Sequence, residues 1–267
     1  MKALKKLQKM KRNTIEEKVG SVITIESFLE IFDNFLVVKK VEGCANTTIQ
    51  GYRNNMDKCF CRFLEVEQID KTIELDINLI RSYIGYLQDK GLKGSTINIR
   101  LRTLRSYIRW FNKEGIIDNS IPVKFKLVKQ EEKKIQILTD LQVNKILSVI
   151  DTSKYSGFRD YIAIQMMLET GVRNNEMINI KISDVDLERR LIIIRPETAK
   201  TRRERHLPIT KALRKNLKEL IEIAKTKEYD YIFQKHTTSQ FTTATIRKAV
   251  HQYKNFAKIK GMYHHTS

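Results

Sequence analysis

The spacing of apolar residues along residues 24–115 is that of α-helices. Apolar side chains recur every three or four residues in four segments, which are separated by Gly43, by the stretch 66–75 and by the pair Gly91 and Gly94. A stripe with this period buries one face of a helix, and glycine interrupts helices. The pattern predicts a small bundle of four short helices.

Two of these segments show the clearest amphipathic pattern. In the second, the apolar residues that share one helical face are Ile49, Tyr52, Met56, Phe60 and Phe63. In the fourth, they are Ile97, Leu101, Leu104, Ile108 and Phe111. Residues three and four positions apart lie on the same side of a helix, so both faces should contribute to the core of the bundle.

A change of pattern marks a second domain. Residues 116–138 contain a proline and alternating basic and apolar residues without a helical period, which predicts an extended linker. Thr139 and Gln142 then have the spacing of a capping box that opens a helix. Further along, helices are predicted near 140–150, 158–169, 211–224 and 243–256, with another beginning about Asn174. A β-branched run at 191–195 and the stretch 205–209, separated by a polar connection, predict a hairpin.

These patterns define the fold class and the domains. We predict a mainly α-helical protein with a small β-hairpin, in which an amino-terminal helical bundle is joined by an extended linker to a mixed domain. The proposed limits are a basic tail (1–22), the bundle (23–115), the linker (116–138) and the second domain (139–267).

The charge balance points to a polyanionic partner. Fifty Lys and Arg residues against 31 Asp and Glu give a formal net charge of +19. Nucleic acid is the first partner to consider, because basic proteins gain affinity by neutralising phosphates and releasing counterions. Ribosomal proteins, membrane-surface proteins and heparin binders have similar compositions, so charge alone leaves these classes open.

The cysteines and the apolar runs indicate the cellular compartment of the protein. Cys44, Cys59 and Cys61 are odd in number and are not spaced as metal ligands, which predicts a reducing compartment with neither a disulfide framework nor a metal site. No apolar run is long enough to cross a bilayer, and the amino-terminal residues lack the apolar core of a signal peptide. We therefore expect a cytoplasmic protein with no membrane contact.

A basic face lies opposite the apolar face of the fourth helical segment. Such a face can be merely a solvated surface, but the overall charge favours contacts with backbone phosphates, and the amino end of a helix also suits a phosphate. The candidate contacts in this region are Lys93, Ser95, Thr96, Arg102, Arg105, Arg109 and Lys113.

Residues 169–176, ETGVRNNE, form the first chemically informative motif. Gly171 should end one helix just before the next begins, so that Arg173 lies at a sharp junction with Glu176 one turn along. A fixed, fork-shaped guanidinium suits a phosphate. A structural Arg–Glu pair is the more common explanation of these residues taken alone.

Residues 197–209, ETAKTRRERHLPI, form the second motif. Lys200 should lie at the tip of the predicted hairpin, followed by Arg202, Arg203 and Arg205 as further candidate DNA contacts. A lysine on a mobile hairpin can reach a leaving-group oxygen and protonate it as a general acid. Taken alone, Lys200 would be an ordinary exposed lysine.

In this order, and after a small helical bundle, the two motifs resemble those of the tyrosine recombinase family, also called phage integrases. TGVRNNE with the trailing ISDVD is similar to the family's first arginine box, and KTRRERHLPI is similar to its hairpin lysine box. The final YHHTS looks like the approach to its His-x-x-Arg box, with His265 in the place of the histidine. The resemblance runs from about Thr24 onward, with the bundle as the SAM-like core-binding domain and the remainder as the catalytic domain.

The resemblance implies transesterification at a DNA phosphodiester without a metal or other cofactor. In this family a tyrosine attacks the phosphorus to form a 3′-phosphotyrosyl link, and a free 5′-hydroxyl later reverses the step. It implies that Arg173 stabilises the phosphorane together with a second arginine, that Lys200 protonates the 5′-oxygen, and that Glu176 supports the site. His265 would assist proton transfer or hydrogen-bond the phosphate.

The resemblance also implies the partners and the departures from the family pattern. The partner would be double-stranded DNA at a recombination site in a bacterial or phage setting, and the full enzyme would assemble on it as a dimer or tetramer. The second arginine and the tyrosine nucleophile have no counterpart before Ser267, so we expect the chain as given to bind DNA without cutting it.

The alternatives are a non-catalytic DNA-binding protein, or recombinase remnant, and a basic helical RNA-binding protein, which would need aromatic stacking surfaces.

Overall fold

The chain forms two compact units, Met1–Lys133 and Lys134–Ser267, and their division falls within the stretch that we predict to be a linker. The computed structural model describes residues 22–116, 126–130, 137–226, 230–235 and 241–259. Of the predicted basic tail, only Val22 lies within the described residues, and it is the first residue of a strand rather than part of the tail. His265 lies outside them.

The first unit contains the four predicted helical segments. They are α1 (Ile25–Val41), α2 (Asn46–Asn55) continuing through a π-helical segment (Met56–Cys61) into α3 (Arg62–Val66), α4 (Ile77–Asp89) and α5 (Gly94–Lys113). Side chains cap two of the amino ends, because Thr24 accepts a hydrogen bond from the backbone N–H of Ser27, and Asp76 accepts one from that of Leu79. The predicted bundle is confirmed.

Aromatic side chains dominate the core of the first unit. Phe28, Phe32 and Phe35 of α1 pack around Tyr107 of α5, with ring centroids 5.0–5.4 Å apart. The Tyr107 hydroxyl donates a 2.7 Å hydrogen bond to the carbonyl oxygen of Phe28, so the buried phenol is satisfied. The apolar face predicted for the fourth segment is fully buried. In the second, Ile49 and Tyr52 are only partly buried and pack at the edge of the core.

A two-stranded sheet lies beside the bundle and was not predicted. Strand β1 (Val22–Thr24) pairs antiparallel with β2 (Thr72–Glu74), which lies in the stretch that we treated as a break between helices. Ile23 and Ile73 face each other and are both buried. Three residues per strand are too few to show the alternation by which strands are recognised.

Part of the predicted linker is bound to the first unit. The buried side chain of Asn98 donates to the carbonyl oxygen of Val128 and accepts from its backbone N–H, both at 2.9 Å. A Cβ added to Gly94 would lie 3.0 Å from the carbonyl oxygen of Lys129, so glycine permits this close approach. Residues 126–130 have no regular secondary structure, but a helix side chain fixes them in place.

The second unit has the mixed composition that the sequence predicts. Its helices are α6 (Asp140–Ser148), α7 (Tyr155–Thr170), α8 (Asn174–Met177), α9 (Lys211–Lys225) and α10 (Thr243–Phe256). The capping box of Thr139 and Gln142 opens α6 as predicted, with both hydrogen bonds formed. In the part of the chain that the structure covers, no helix is long and apolar enough to span a membrane.

A three-stranded antiparallel sheet packs against the helices of this unit. Its order is β3 (Val185–Asp186), β4 (Leu191–Ile194) and β5 (Arg205–Pro208). β4 and β5 form the predicted hairpin, with Ile194 paired to Arg205 at the end that leads into the connection. The side chains of Ile192 and Ile194 are buried, which fixes the register of the hairpin against the core.

A buried polar network links α7 to α10. Asp160 accepts from Nε and Nη2 of Arg159 at 2.9 and 2.7 Å, and its other oxygen accepts from the Tyr253 hydroxyl at 3.1 Å. The Arg159 guanidinium also donates to the carbonyl oxygen of Gln234 and lies 4.4 Å from the ring centroid of Phe241. Burial and then the charge of Asp160 raise the pKa of Tyr253 to about 12.

Candidate active site and nucleic-acid interface

The junction between α7 and α8 places Arg173 as the first motif predicts. Gly171 ends α7 with φ of 64°, a left-handed conformation that glycine adopts without a Cβ penalty. Arg173 is the residue that caps the amino end of α8, and its carbonyl oxygen accepts from the N–H of Met177 at 2.9 Å. Both the main chain and the side chain of Arg173 are therefore set by this break.

Glu176 is a buried carboxylate shared by two arginines. Its Oε1 accepts from Nη1 of Arg173 at 3.1 Å, and its Oε2 accepts from the backbone N–H of Arg173 at 3.0 Å and from Nη2 of Arg205. The carboxylate side chain is 0% exposed, whereas the side chains of Arg173 and Arg205 are 41% and 31% exposed. Two guanidinium groups and one carboxylate carry a net charge of +1, and the arginines provide the solvent-facing part of the cluster.

The Arg–Glu pair that we considered as a structural alternative is thus present, with a third member that the sequence did not reveal. We placed Arg205 among the DNA-contacting residues, and the structure shows that it also binds Glu176. We call Arg173, Glu176 and Arg205 the arginine–glutamate cluster. Because its arginines remain partly exposed, the pair does not exclude a role in binding a phosphate.

Lys200 lies in the connection between β4 and β5, with an exposed side chain. The connection begins with a turn in which the backbone N–H groups of Thr198 and Ala199 donate to the carbonyl oxygen of Arg195. The Arg195 side chain anchors the start of this connection, since its Nε donates to Asp184 at 3.0 Å. Among the described contacts, none joins Lys200 to the arginine–glutamate cluster. Arg202 and Arg203 follow in the same connection and are also exposed.

The basic face of α5 borders a pocket of about 370 Å³ in the first unit. Arg102, Arg109 and Lys113 are exposed there, whereas Arg105 is half-buried. Burial, together with the charges of Arg109 and Arg102, lowers the pKa of Arg105. Nearby like charges disfavour the charged form of a group, and an anion bound in the pocket would offset that repulsion.

The pocket includes residues that sequence analysis missed. They are Lys39, Glu42, Ser106 and Trp110. Lys39 and Glu42 lie at the carboxyl end of α1 and form an ion pair of 2.6 Å. They line the same pocket as the α5 residues because α1 packs against α5. No pattern within one helix could have placed them there.

The other predicted contacts of the first unit lie at the amino end of α5. Lys93 caps the helix through its backbone conformation without a side-chain hydrogen bond and is exposed. Ser95 is exposed and Thr96 is half-buried in the first turn. The three residues are thus placed at a helix amino end, as predicted.

The thiols and acidic groups do not form a metal site in the described residues. Cys44, Cys59 and Cys61 are free thiols. No group of three or more His, Cys, Asp or Glu side chains within the described ranges is arranged to hold a metal ion.

A buried carboxylate thus binds two partly exposed arginines, and one of them belongs to the hairpin whose connection carries Lys200. Comparison with known proteins identifies the family. Residues 29–115 match the family described as "Phage integrase, N-terminal SAM-like domain", and residues 136–267 match the "Phage integrase family". The chain belongs to the phage integrase, or tyrosine recombinase, family, as the sequence motifs indicated.

Individual relatives agree with this assignment. The chain is 26% identical over 201 residues to tyrosine recombinase XerD of Staphylococcus saprophyticus, which covers 74% of this chain and 65% of that protein. The chain therefore spans less than two thirds of the length of this relative.

Solved structures show the same fold. The Tn1549 transposon integrase, solved in complex with a circular intermediate DNA, has a TM-score of 0.68 at 20% identity and covers 87% of this chain and 81% of that one. A lambda integrase tetramer bound to a Holliday junction has a TM-score of 0.70 at 17% identity, covering 91% and 66%. The predicted fold class is confirmed.

Proposed function

We propose that this chain is part of a site-specific DNA recombinase that breaks and rejoins a DNA strand through a 3′-phosphotyrosyl intermediate. The observation that carries the proposal is the arginine–glutamate cluster, in which a fully buried carboxylate holds Arg173 while 41% of the arginine side chain remains exposed. A guanidinium fixed in this way is oriented before the phosphate arrives, and prior orientation is the main source of electrostatic catalysis.

The proposed chemistry assigns one role to each group. As the tyrosine oxygen forms a bond to phosphorus, Arg173 stabilises the negative charge that develops on the non-bridging oxygens. When the bond from phosphorus to the 5′-oxygen breaks, the Lys200 ammonium gives its proton to that oxygen. The proposal also assigns proton transfer or phosphate binding to His265, as the family resemblance implies.

The proposed partner is double-stranded DNA at a recombination site. The net charge of +19 and the basic pocket of α5 support phosphate binding over a large surface. Self-association on DNA is also proposed, because the lambda integrase of similar fold was solved as a tetramer bound to a Holliday junction. Arg202 and Arg203 on the hairpin and Lys93, Ser95 and Thr96 at the amino end of α5 complete the proposed DNA contacts.

The α5 face gives the first test. A duplex bound by the chain is selected from a random-sequence pool, and its affinity is measured by fluorescence anisotropy over a range of KCl concentrations. Each phosphate contact contributes about 0.9 to the slope of log K against log salt, so the double variant Arg102→Gln/Arg109→Gln should reduce the slope by about 2.

The matched control removes two exposed arginines elsewhere in the first unit, Arg62→Gln/Arg81→Gln. It should leave the slope within about 0.5 of the wild-type value, since these residues lie on α3 and α4 away from the pocket lining. Equal slopes for both double variants would remove the α5 face from the DNA interface. Binding that does not weaken with salt would contradict the proposed function itself.

A further inference from the structure

The second oxygen of Glu176 distinguishes this cluster from a simple Arg–Glu pair. Oε2 accepts from Arg205, which lies 29 residues further along the chain, and also from the backbone N–H of Arg173. The carboxylate thus accepts hydrogen bonds from three donors while its side chain is 0% exposed. Burying a carboxylate costs hydration free energy, which hydrogen bonds and opposite charges must offset. The orientation of Glu176 therefore depends on both arginines.

The sharing of the carboxylate changes the charge that Arg173 can offer. Paired with Glu176 alone, the Arg173 guanidinium would belong to a neutral pair. With Arg205 on the other oxygen, the three groups sum to +1, and both arginine side chains keep an exposed fraction. An arginine has five N–H donors in a fixed plane, so a contact through Nη1 leaves donors for a phosphate.

Arg205 also occupies a special position in the hairpin. It is the first residue of β5 and pairs with Ile194 at the point where the connection carrying Lys200 begins and ends. The contact between Arg205 and Glu176 therefore ties this end of the hairpin to the residue that orients Arg173. Arg203, two residues earlier, is exposed and does not make this contact among the described residues.

We propose that Arg205 is a positioning residue rather than one more non-specific phosphate contact. Through Glu176 it orients the Arg173 guanidinium and keeps a net positive charge available to one particular backbone phosphate. This inference rests on the proposed function, in which Arg173 faces the phosphate where the strand is broken.

The test measures the coupling between Arg205 and individual phosphates. The selected duplex is synthesised with a methylphosphonate, which lacks the negative charge, at one linkage at a time along one strand. Affinities are compared for the wild type, Arg205→Gln, Arg205→Lys and the control Arg203→Gln. The control removes the same charge from the same hairpin without touching Glu176.

We expect the wild type to lose about tenfold in affinity when the linkage that faces Arg173 is neutralised, as close charge pairs in interfaces do. In Arg205→Gln the loss at that linkage should shrink to about threefold or less, because Glu176, without its second arginine, forms a neutral pair with Arg173 and is less firmly oriented. Arg203→Gln should keep the wild-type loss at that linkage. In Arg205→Lys the loss at that linkage should lie between those of Arg205→Gln and the wild type, since an ammonium can still bind Glu176.

Other results separate the failure of this inference from that of the function. If Arg205→Gln and Arg203→Gln give the same loss at every linkage, Arg205 does not position Arg173. If Arg205→Gln does not fold, Arg205→Met, which has an unbranched side chain without a charge, takes its place. A wild-type loss in Arg205→Met at the linkage that faces Arg173 would then overturn the inference. If the wild type binds no duplex, or shows no linkage at which the charge matters, the proposed function fails first.

Discussion

Replacing Asp160 with alanine should lower the free energy of unfolding of the second unit by about 3–5 kcal/mol, as expected when one partner of a buried ion pair is removed. Both side chains of the Arg159–Asp160 pair are 6% exposed, so the remaining guanidinium could not be hydrated in the folded state. The Tyr253 hydroxyl would also lose its acceptor. Urea unfolding followed by circular dichroism measures the change.

A variant with an exposed carboxylate provides the control. Glu188→Ala removes a solvent-facing side chain from the same unit and should change the free energy of unfolding by no more than about 0.5 kcal/mol. The double variant Arg159→Met/Asp160→Leu should be more stable than Asp160→Ala, because it leaves no buried charge without a partner. If Asp160→Ala is no less stable than Glu188→Ala, the buried pair does not exist in solution.

Two glycine-to-alanine variants should change stability in opposite directions. A Cβ on Gly157 would lie 2.0 Å from the carbonyl oxygen of Asp151, a backbone atom that cannot move without shifting the start of α7. We expect a loss of about 3 kcal/mol, at the upper end of the usual cost of overpacking. Gly51, within α2, has open space around its Cβ position, so alanine there should add about 1 kcal/mol by helix propensity.

Thermal unfolding of the two variants, monitored by circular dichroism, decides between these outcomes. The loss should fall on the transition of the second unit and the gain on that of the first. A gain or no change in Gly157→Ala would mean that the close approach between Gly157 and Asp151 does not limit the side chain at this position, and a loss in Gly51→Ala would contradict the open space there.

Local patterns allowed most of the helices and the hairpin to be predicted. The stripes on α2 and α5, the capping box at Thr139 and the helix break at Gly171 each depend on residues a few positions apart, and the structure contains all of them. Such features can be predicted from the sequence because the interacting residues belong to one turn or one helix.

Features formed by residues distant in sequence could not be predicted. The strands β1 and β2 are each three residues long and are separated in the sequence by two helical segments. From the sequence, Asn98 would be an ordinary polar residue of a helix. In the structure it is 1% exposed and its side chain binds the backbone of Val128. A polar residue that binds a distant backbone carries no periodic signal.

The candidate site shows the same division. Arg173 and Glu176 were found because the motif places them one turn apart, whereas the role of Arg205 at Glu176 depends on a contact across 29 residues. Arg159 and Asp160 were missed because adjacent helical residues do not normally face each other. Their burial depends on Phe241, Tyr253 and Gln234, which come from later parts of the chain.

If Arg173 and Lys200 act on the same phosphate, one on the developing charge and the other on the leaving oxygen, a change of the leaving atom should separate their roles. This expectation is tested by trapping the covalent protein–DNA adduct formed by the full-length gene product on a nicked duplex, with oxygen or sulfur as the bridging atom at the 5′ side. Sulfur leaves without being protonated, so it removes the need for a general acid.

We expect Lys200→Ala to form little adduct on the oxygen substrate and to recover to within about tenfold of the wild type on the sulfur substrate, since general acids contribute about 10²–10⁴-fold. Arg173→Ala should remain defective on both, because the charge on the phosphorane develops in either case. Wild-type levels of adduct from Arg173→Ala would mean that Arg173 does not stabilise the phosphorane, and a Lys200→Ala defect that sulfur does not relieve would mean that Lys200 is not the general acid.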